Sequence, residues 1–312
     1  MNDREPLVIN AVIVAYNRPQ SLCTLIASLV GQSYPVNRIV IVDNSTNNEV
    51  KDAIGILPGS AKALRPGEKV PDKITYIKMT ENVGSAGGFY HAIKEAYQDC
   101  THVWIFDDDM DVRHDSLENL LTVLPQLNAD GKLGALRCWY HGNKETKPAA
   151  IDSFAWRGTL ISSNVIRQVG LPDPGYFLYG EDVDYSLRIR KAGYSMYYVP
   201  QSIMWVNSSP TKVTGRFFGR EVKFHQSPYR LYYAVRNELY LYSKFHDARG
   251  LIKSMGYVFK LLIIIMGMKN IKKGQFVKAL MMGVIHYVIV KRGRNPAFPD
   301  KEDVMYCNSH PI

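Results

Sequence analysis

Cysteine is scarce in this sequence: four residues among 312, Cys23, Cys100, Cys138 and Cys307, with no Cys-x-x-Cys pair. That scarcity excludes a zinc ribbon and suits a reducing compartment. Acidic residues are missing altogether from Arg249 to Arg294, a stretch that holds ten basic residues. Long apolar runs are missing too. A membrane span needs about 20 mostly apolar residues, whereas Lys260 interrupts the apolar segment from Leu251 to Met268, and Lys278 and His286 interrupt that from Gln275 to Val290. The first residues, Met-Asn-Asp-Arg-Glu-Pro, contain acids and no apolar core, so no signal peptide is expected. No internal repeat is evident. With 46% apolar and 21% charged residues, the disordered, collagen-like and disulfide-scaffold classes fall away as well.

What is present is unevenly placed. The formal charge is +9, yet outside the acid-free stretch 28 of the 38 basic residues face all 29 acidic ones. The chain is thus a near-neutral body with a basic C-terminal segment. At about 150 residues per domain the length allows one large domain, or one domain with an appendage.

The first half alternates short β-rich apolar runs with helical patterns, the mark of an α/β domain. Strands are expected at Leu7–Ala15, Arg38–Val42, Ile74–Lys78, Val103–Phe106 and Gly134–Cys138. Helices are expected after Pro19, over Ala86–Tyr97 and His114–Leu127, after a Ser162 or Ser163 cap, and over Glu181–Ala192. Leu57 to Lys73, rich in Pro, Gly and Lys, reads as an exposed loop or lid. The alternation ends near Pro228, where a Tyr-rich helix begins and the two apolar helical segments follow. Those two read as helices lying in or on a membrane surface, with their lysines reaching anionic headgroups. A buried helical subdomain or a dimer interface is the competing reading.

Ligands of open α/β sheets bind at the carboxyl ends of the strands. Four polar loops fall there: Tyr16-Asn17-Arg18, Asp43-Asn44-Ser45, Asn82 to Gly88, and Asp107-Asp108-Asp109. Three adjacent carboxylates repel one another unless a cation neutralises them, and hard oxygen ligands favour magnesium or manganese. On an extended segment Asp107 and Asp109 point the same way and Asp108 the other. The loop with Gly84, Gly87 and Gly88 lets a ligand approach the backbone at a helix N-terminus. A dinucleotide fingerprint would read G-x-G-x-x-G after the first strand; here G-x-x-G-G follows the third, which speaks against a Rossmann dehydrogenase. Gly180-Glu181-Asp182-Val183-Asp184 adds a second carboxylate cluster beside Tyr176-Phe177-Leu178-Tyr179, at a place where the helix dipole favours acids in any case.

Taken in order, Val-Ala-Tyr-Asn-Arg, Val-Asp-Asn-Ser, Asn-Val-Gly-Ser-Ala-Gly-Gly-Phe, Asp-Asp-Asp, Gly-Glu-Asp-Val-Asp and Tyr233 through Arg236-Asn237 resemble the family 2 glycosyltransferases of the GT-A fold, over roughly Leu7 to Asn237. Bacterial galactofuranosyltransferases look most similar, with rhamnosyltransferases next. The resemblance implies a Rossmann-like mixed sheet, the GT-A nucleotide-diphospho-sugar transferase fold, over residues 1–225; the charge and apolar pattern sets apart a C-terminal helical, basic amphipathic membrane-associating region over 226–312. The resemblance also implies an inverting transfer of a hexose from a nucleotide-sugar donor, UDP-galactofuranose or alternatively dTDP-rhamnose, to a lipid-linked saccharide acceptor, with Mn2+ or Mg2+. Tyr16, Arg18 and Asp43 would hold the nucleoside, and Gly84 to Gly88 the diphosphate and sugar. Asn44, Asn82 and Asp108 complete the expected donor site. Asp107 and Asp109 would bind the metal, Asp182 would be the general base, and Glu181 and Trp156 would meet the acceptor. Where the galactofuranosyltransferases carry a metal-binding His after a Pro-x-x-x-x-Trp segment, this chain has Val206-Asn207, leaving Asn207, His225 or water as third ligand. A cytoplasmic enzyme at the inner face of the cell membrane is expected, with self-association left open. Two competing readings are a nucleic-acid-binding protein, which leaves the aspartate triplet unexplained, and a sugar nucleotidyltransferase.

Overall fold

Ile9–Ala15 has only Asn10 as a polar residue, and every residue of it is buried; it forms the central strand β1. The computed structural model describes residues 6–56, 73–141, 144–207, 212–217, 220–225, 227–268 and 272–297, with 212–217 and 220–225 as backbone. The loop expected from 57 lies outside these residues up to 72. The chain divides into two compact units, Met1–Asp173 with Asp182–Ser208, and Pro174–Glu181 with Ser209–Ile312.

In the first unit β1 is flanked by β2 (Arg38–Asp43) and β4 (His102–Asp107), and β3 (Ile74–Lys78) pairs with β2; all run parallel. Beyond β4 the sheet turns mixed. β8 (Arg157–Ser162) is antiparallel to both β4 and β6 (Leu133–Tyr140), β9 (Ser195–Val206) is parallel to β6, and β5 (Met110–Val112) and β7 (Ala149–Ala150) pair antiparallel with β9. The order is β3-β2-β1-β4-β8-β6-β9-β5. One face is covered by α1 (Pro19–Val30), α2 (Glu49–Ile56) and α4 (Ser116–Leu127); the other by α3 (Gly84–Ala96), α5 (Ser163–Val169) and α6 (Glu181–Lys191). Apolar side chains fill both layers, with Trp104, Phe106 and Leu25 on the first face and Phe89, Ile105 and Tyr185 on the second. The expected α/β class and mixed sheet are what the chain adopts.

Among the described residues, α2, the short strands β5 and β7, β8, β9 and a hairpin of β10 (Lys212–Phe217) and β11 (Arg220–His225) were not expected from the sequence. β9 is instructive. Pro200 interrupts it, but the ladder with β6 skips from Cys138↔Val199 to Trp139↔Ile203, so proline sits in the irregular stretch where no ladder donor is needed. Ser162 caps α5 by accepting the Val165 N–H, as expected from the sequence.

In the second unit α7 (Pro228–Lys244), α8 (Ala248–Gly267) and α9 (Lys273–Val288) enclose Leu231, Val235, Leu239, Leu261, Ile264, Ile265, Phe276 and Leu280. The opposite side of α8 presents Ile252, Met255, Phe259, Ile263 and Met266 to the outside, Ile252 being 71% and Phe259 65% exposed. The 3.6-residue period puts these five on one stripe. By length and composition α8 is apolar enough to cross a membrane. From the sequence, Lys260 speaks against spanning; α8 carries Lys253 as well, and long apolar stems let such lysines lie along an apolar helix.

Candidate functional site

Register fixes the site. Ala15 lies opposite Asp43 and Val14 opposite Asp107, so the carboxyl ends of β1, β2 and β4 stand level and their loops meet. Asn44 N–H donates to the Ala15 carbonyl (2.9 Å), Asn17 N–H to Ser45 Oγ (2.9 Å), and Asn44 Nδ2 to the Gly84 carbonyl (2.9 Å). Asn82 Oδ1 accepts the Gly84 N–H at 2.8 Å, closing a turn in which Gly84 takes φ 73°, a backbone state that side chains disfavour.

Gly87 and Gly88 answer to the protein's own packing. A Cβ on Gly88 would lie 2.5 Å from Val14 Cγ1 and 3.1 Å from Asn44 Nδ2; on Gly87 it would lie 2.7 Å from Val83 Cβ. Gly88 lets α3 close onto β1 and the β2 loop, Gly87 makes room for Val83 at the start of the helix, and both are buried. Asp43 is fully buried and serves its neighbours: Oδ1 accepts from Ser45 N–H, and Oδ2 from Tyr76 Oη (2.6 Å) and Lys78 Nζ (2.7 Å).

The aspartate triplet occupies the turn between β4 and β5. Asp108 Oδ2 accepts the Tyr16 N–H at 2.8 Å, and Oδ1 pairs with Arg18 at 2.9 Å. It is an anchor for the β1 loop, 3% exposed. Asp109 Oδ2 meets the same guanidinium at 3.3 Å, while its Oδ1 is buried without a hydrogen bond among the described residues. Asp107 turns instead to Arg157 of β8, at 3.1 Å. Burial, and then Asp109, push the Asp107 carboxyl up to about 7 against the pull of Arg157. Burial raises Asp108 to about 6, with Arg18 opposing.

Two carboxylates, one with an orphaned oxygen and one disposed to give up its charge, form a hard-oxygen donor pair that fits a divalent cation. Among the described residues there is no group of three His, Cys, Asp or Glu that could hold a metal. Asn207 donates its backbone N–H to the Asp109 carbonyl at 2.7 Å, so it lies beside the triplet; the His225 side chain falls outside the described residues.

Asp182 stands at the start of α6, Oδ1 accepting the Val183 N–H at 2.8 Å. Burial raises its carboxyl above the ordinary range, opposed by Val183 N–H and by the charges of Arg137 and Arg157. Arg157 therefore acts on both Asp107 and Asp182. Trp156, expected at the acceptor, is 2% exposed and packs on Phe89 (5.1 Å), Tyr185 (5.3 Å) and Phe154 (5.4 Å). It is a core ring, because β8 enters the sheet there and turns it inward. Glu181 is 4% exposed.

Arg157 and Arg137 were missed in the sequence. Arg137 is 4% exposed, donating to the Tyr198 hydroxyl, to Tyr140 Oη (2.9 Å) and to the Arg157 carbonyl (3.2 Å). An arginine inside Gly-Ala-Leu-Arg-Cys-Trp, where a buried strand is expected, was the available signal, since a buried charge is costly unless it has work to do.

Residues 11–184 match the family described as Glycosyl transferase family 2. The chain is similar to the galactofuranosyltransferase GlfT1 of Mycolicibacterium smegmatis, 21% identical over 60% of this chain and 66%, just under two thirds, of that protein. It is also similar to the dTDP-rhamnosyl transferase RfbF of Shigella flexneri, 27% identical over 76% of this chain and 81% of that one. Among solved structures, the mannosyltransferase PcManGT of Pyrobaculum calidifontis, in complex with GDP-Man and Mn2+, shares the fold with a TM-score of 0.59 at 14% identity, over 91% of this chain and 88% of that chain.

Asp108→Asn replaces an acceptor of two donors by a group that is half donor. A stability loss of about 1–3 kcal/mol is expected, below the cost of breaking a fully buried pair because Arg18 is 39% exposed. A urea titration with an unchanged midpoint would reject the anchoring role.

Proposed function

The chain belongs to glycosyl transferase family 2, and from that premise we propose an inverting, divalent-cation-dependent transfer of a hexosyl group from a nucleotide-diphospho-sugar to a hydroxyl of a lipid-linked saccharide. The observation that carries this reading is the β4–β5 turn, where Asp107 and the unpartnered Asp109 Oδ1 face cation chemistry while Asp108 is spent on Arg18. Asp107 and Asp109 would hold Mn2+ or Mg2+, with Asn207 close by. Such an ion, when bound, supplies positive charge for the diphosphate as it leaves. Tyr16, Arg18 and Asp43 with Asn44 and Asn82 would form the nucleotide side.

Asp182 is the proposed base. Its Oδ1 is engaged by Val183 N–H, so Oδ2 accepts the proton of the attacking hydroxyl. Burial raises the Asp182 carboxyl, and the Val183 N–H and then the charges of Arg137 and Arg157 oppose that rise. Glu181, the residue before it, stays in the reading as an acceptor-side group. Trp156, packed in the core, shapes the site from behind.

Two donors compete. The motif resemblance and the similarity to GlfT1 support UDP-galactofuranose; the longer and more identical match to RfbF supports dTDP-rhamnose. We place the enzyme at the cytoplasmic face of an anionic membrane, bound through the region from residue 226 onward. Support comes from the outward apolar stripe of α8 beside a stretch with ten bases and no acids.

Asp182→Asn is expected to lower kcat by about 10²–10⁴-fold with nucleotide affinity unchanged; near-normal turnover would end the base assignment. Because only ionised Asp182 accepts a proton and its pKa is raised, the wild-type rate should fall on acidification at a pH above the ordinary carboxylate value of 3.8. A thermal-shift panel of UDP, dTDP and GDP nucleotides with Mn2+ should give stabilisation by one base, abolished by chelator and by Asp107→Asn. Persistence of the shift in both would reject the cation site. Finally, Ile252→Asp, Phe259→Asp and Met266→Asp together, all at exposed positions, should release the protein from anionic vesicles in sedimentation; retention would contradict the stripe as the membrane contact.

A further inference from the structure

Arg236 and Asn237 lie side by side on α7 and are both buried. Within the second unit they face the loop Pro174–Glu181, whose backbone is unusual. Phe177 has φ 64°, Tyr179 φ 67° and Gly180 φ 87°. Left-handed backbone is expected of glycine; two aromatic residues in it within three positions must be held there by their surroundings.

The holding groups are on α7. Asn237 Nδ2 donates to the carbonyls of Tyr176 (2.9 Å), Leu178 (2.7 Å) and Tyr179 (2.8 Å). An amide nitrogen has two hydrogens, so three acceptors share them, and the loop's carbonyls converge on a single side chain. The amide's orientation is itself fixed: Arg236 Nε donates to Asn237 Oδ1 at 2.8 Å, which leaves Nδ2 facing the loop. Arg236 then adds a bond from Nη2 to the Tyr176 carbonyl (2.7 Å) and one from Nη1 to the Gly293 carbonyl (2.7 Å). Its guanidinium lies over the Tyr233 ring at 4.9 Å, and that ring stacks on Phe177 at 4.9 Å and 28°. Arg230 Nη1 donates to the Tyr179 hydroxyl at 2.7 Å. Positions 230, 233 and 237 recur at the spacing of one helix face, so α7 grips the loop along its length.

The loop ends at Glu181, which opens α6, and the next residue in the chain is Asp182. We propose that Asn237, oriented by Arg236, is a positioning residue: it holds the left-handed path of 176–180 so that the chain delivers Asp182 with its carboxylate set for proton abstraction. The loop's geometry is independent of what Asp182 does; the catalytic consequence rests on Asp182 being the base. A residue that only positions should affect turnover and leave nucleotide binding alone, because misplacing a base by about 1 Å can cost about 10²-fold.

The experiment uses the full chain and its Asn237→Ala and Asn237→Asp variants, the second keeping the volume should the first fold poorly. Three readouts are taken: amide hydrogen exchange over 176–182, Mn2+-dependent UDP or dTDP affinity, and kcat with UDP-galactofuranose or dTDP-rhamnose. Faster exchange confined to the loop, unchanged nucleotide affinity and a kcat loss of about 10- to 100-fold are expected. In the Asn237→Ala background, Tyr179→Gly should recover about tenfold of that loss, since glycine adopts the left-handed state without help. Unchanged exchange, unchanged kcat, nucleotide affinity falling in step with kcat, or no recovery with Tyr179→Gly would each overturn the proposal. The base assignment fails separately: full activity of Asp182→Asn with a loosened, slow Asn237→Ala enzyme leaves the loop's role standing and moves the base elsewhere.

Discussion

Mutual repulsion among Asp107, Asp108 and Asp109 is the constraint around which this structure is arranged. Two unit charges 4 Å apart near a protein surface interact by about 4 kcal/mol, so three consecutive carboxylates in a largely buried turn need compensation from elsewhere. The fold supplies it asymmetrically. Arg18 faces Asp108 and Asp109 from the β1 loop, and Arg157 faces Asp107 from β8. Asp108 is thereby satisfied twice over and becomes scaffold. Asp107 is left with Arg157 alone against burial first and the neighbouring Asp109 second, which together push its carboxyl up to about 7.

The sheet makes this arrangement possible. Parallel pairing of β1, β2 and β4 places the ends of three strands level, and the reversal at β8 brings a basic strand against the acidic end of β4. Close approach of α3, permitted by Gly88, brings its start against β1 and the β2 loop, where Asn44 Nδ2 donates to the Gly84 carbonyl.

Much of the architecture was legible in the sequence because it depends on short-range pattern. Buried β-rich runs, the Pro19 start of α1, the Ser162 cap and the three C-terminal helices announce themselves over four to twenty residues. β9 did not, since Pro200 breaks the pattern of a strand and only the skip in its pairing with β6 makes room for it. β8 was hidden for a similar reason: Arg157-Gly158-Thr159 does not read as a strand, yet it lies between β4 and β6. With β8 unseen, neither the inward rotation of Trp156 nor the approach of Arg157 could be anticipated. In α8 the sequence pattern shows apolar residues interrupted by Lys260, whereas the fold sorts them into one buried and one exposed face.

The sequence by itself determined the class of sheet, the family and the segregation of charge into a near-neutral body and a basic, acid-free C-terminal stretch, because these follow from composition, periodicity and the order of motifs. Only the tertiary structure decided which of three chemically identical aspartates is anchor and which are available, because that depends on cations 50 and 90 residues away along the chain. It also decided what Arg236 and Asn237 do. Their partners are backbone carbonyls nearly 60 residues earlier, and a carbonyl carries no signature in the sequence.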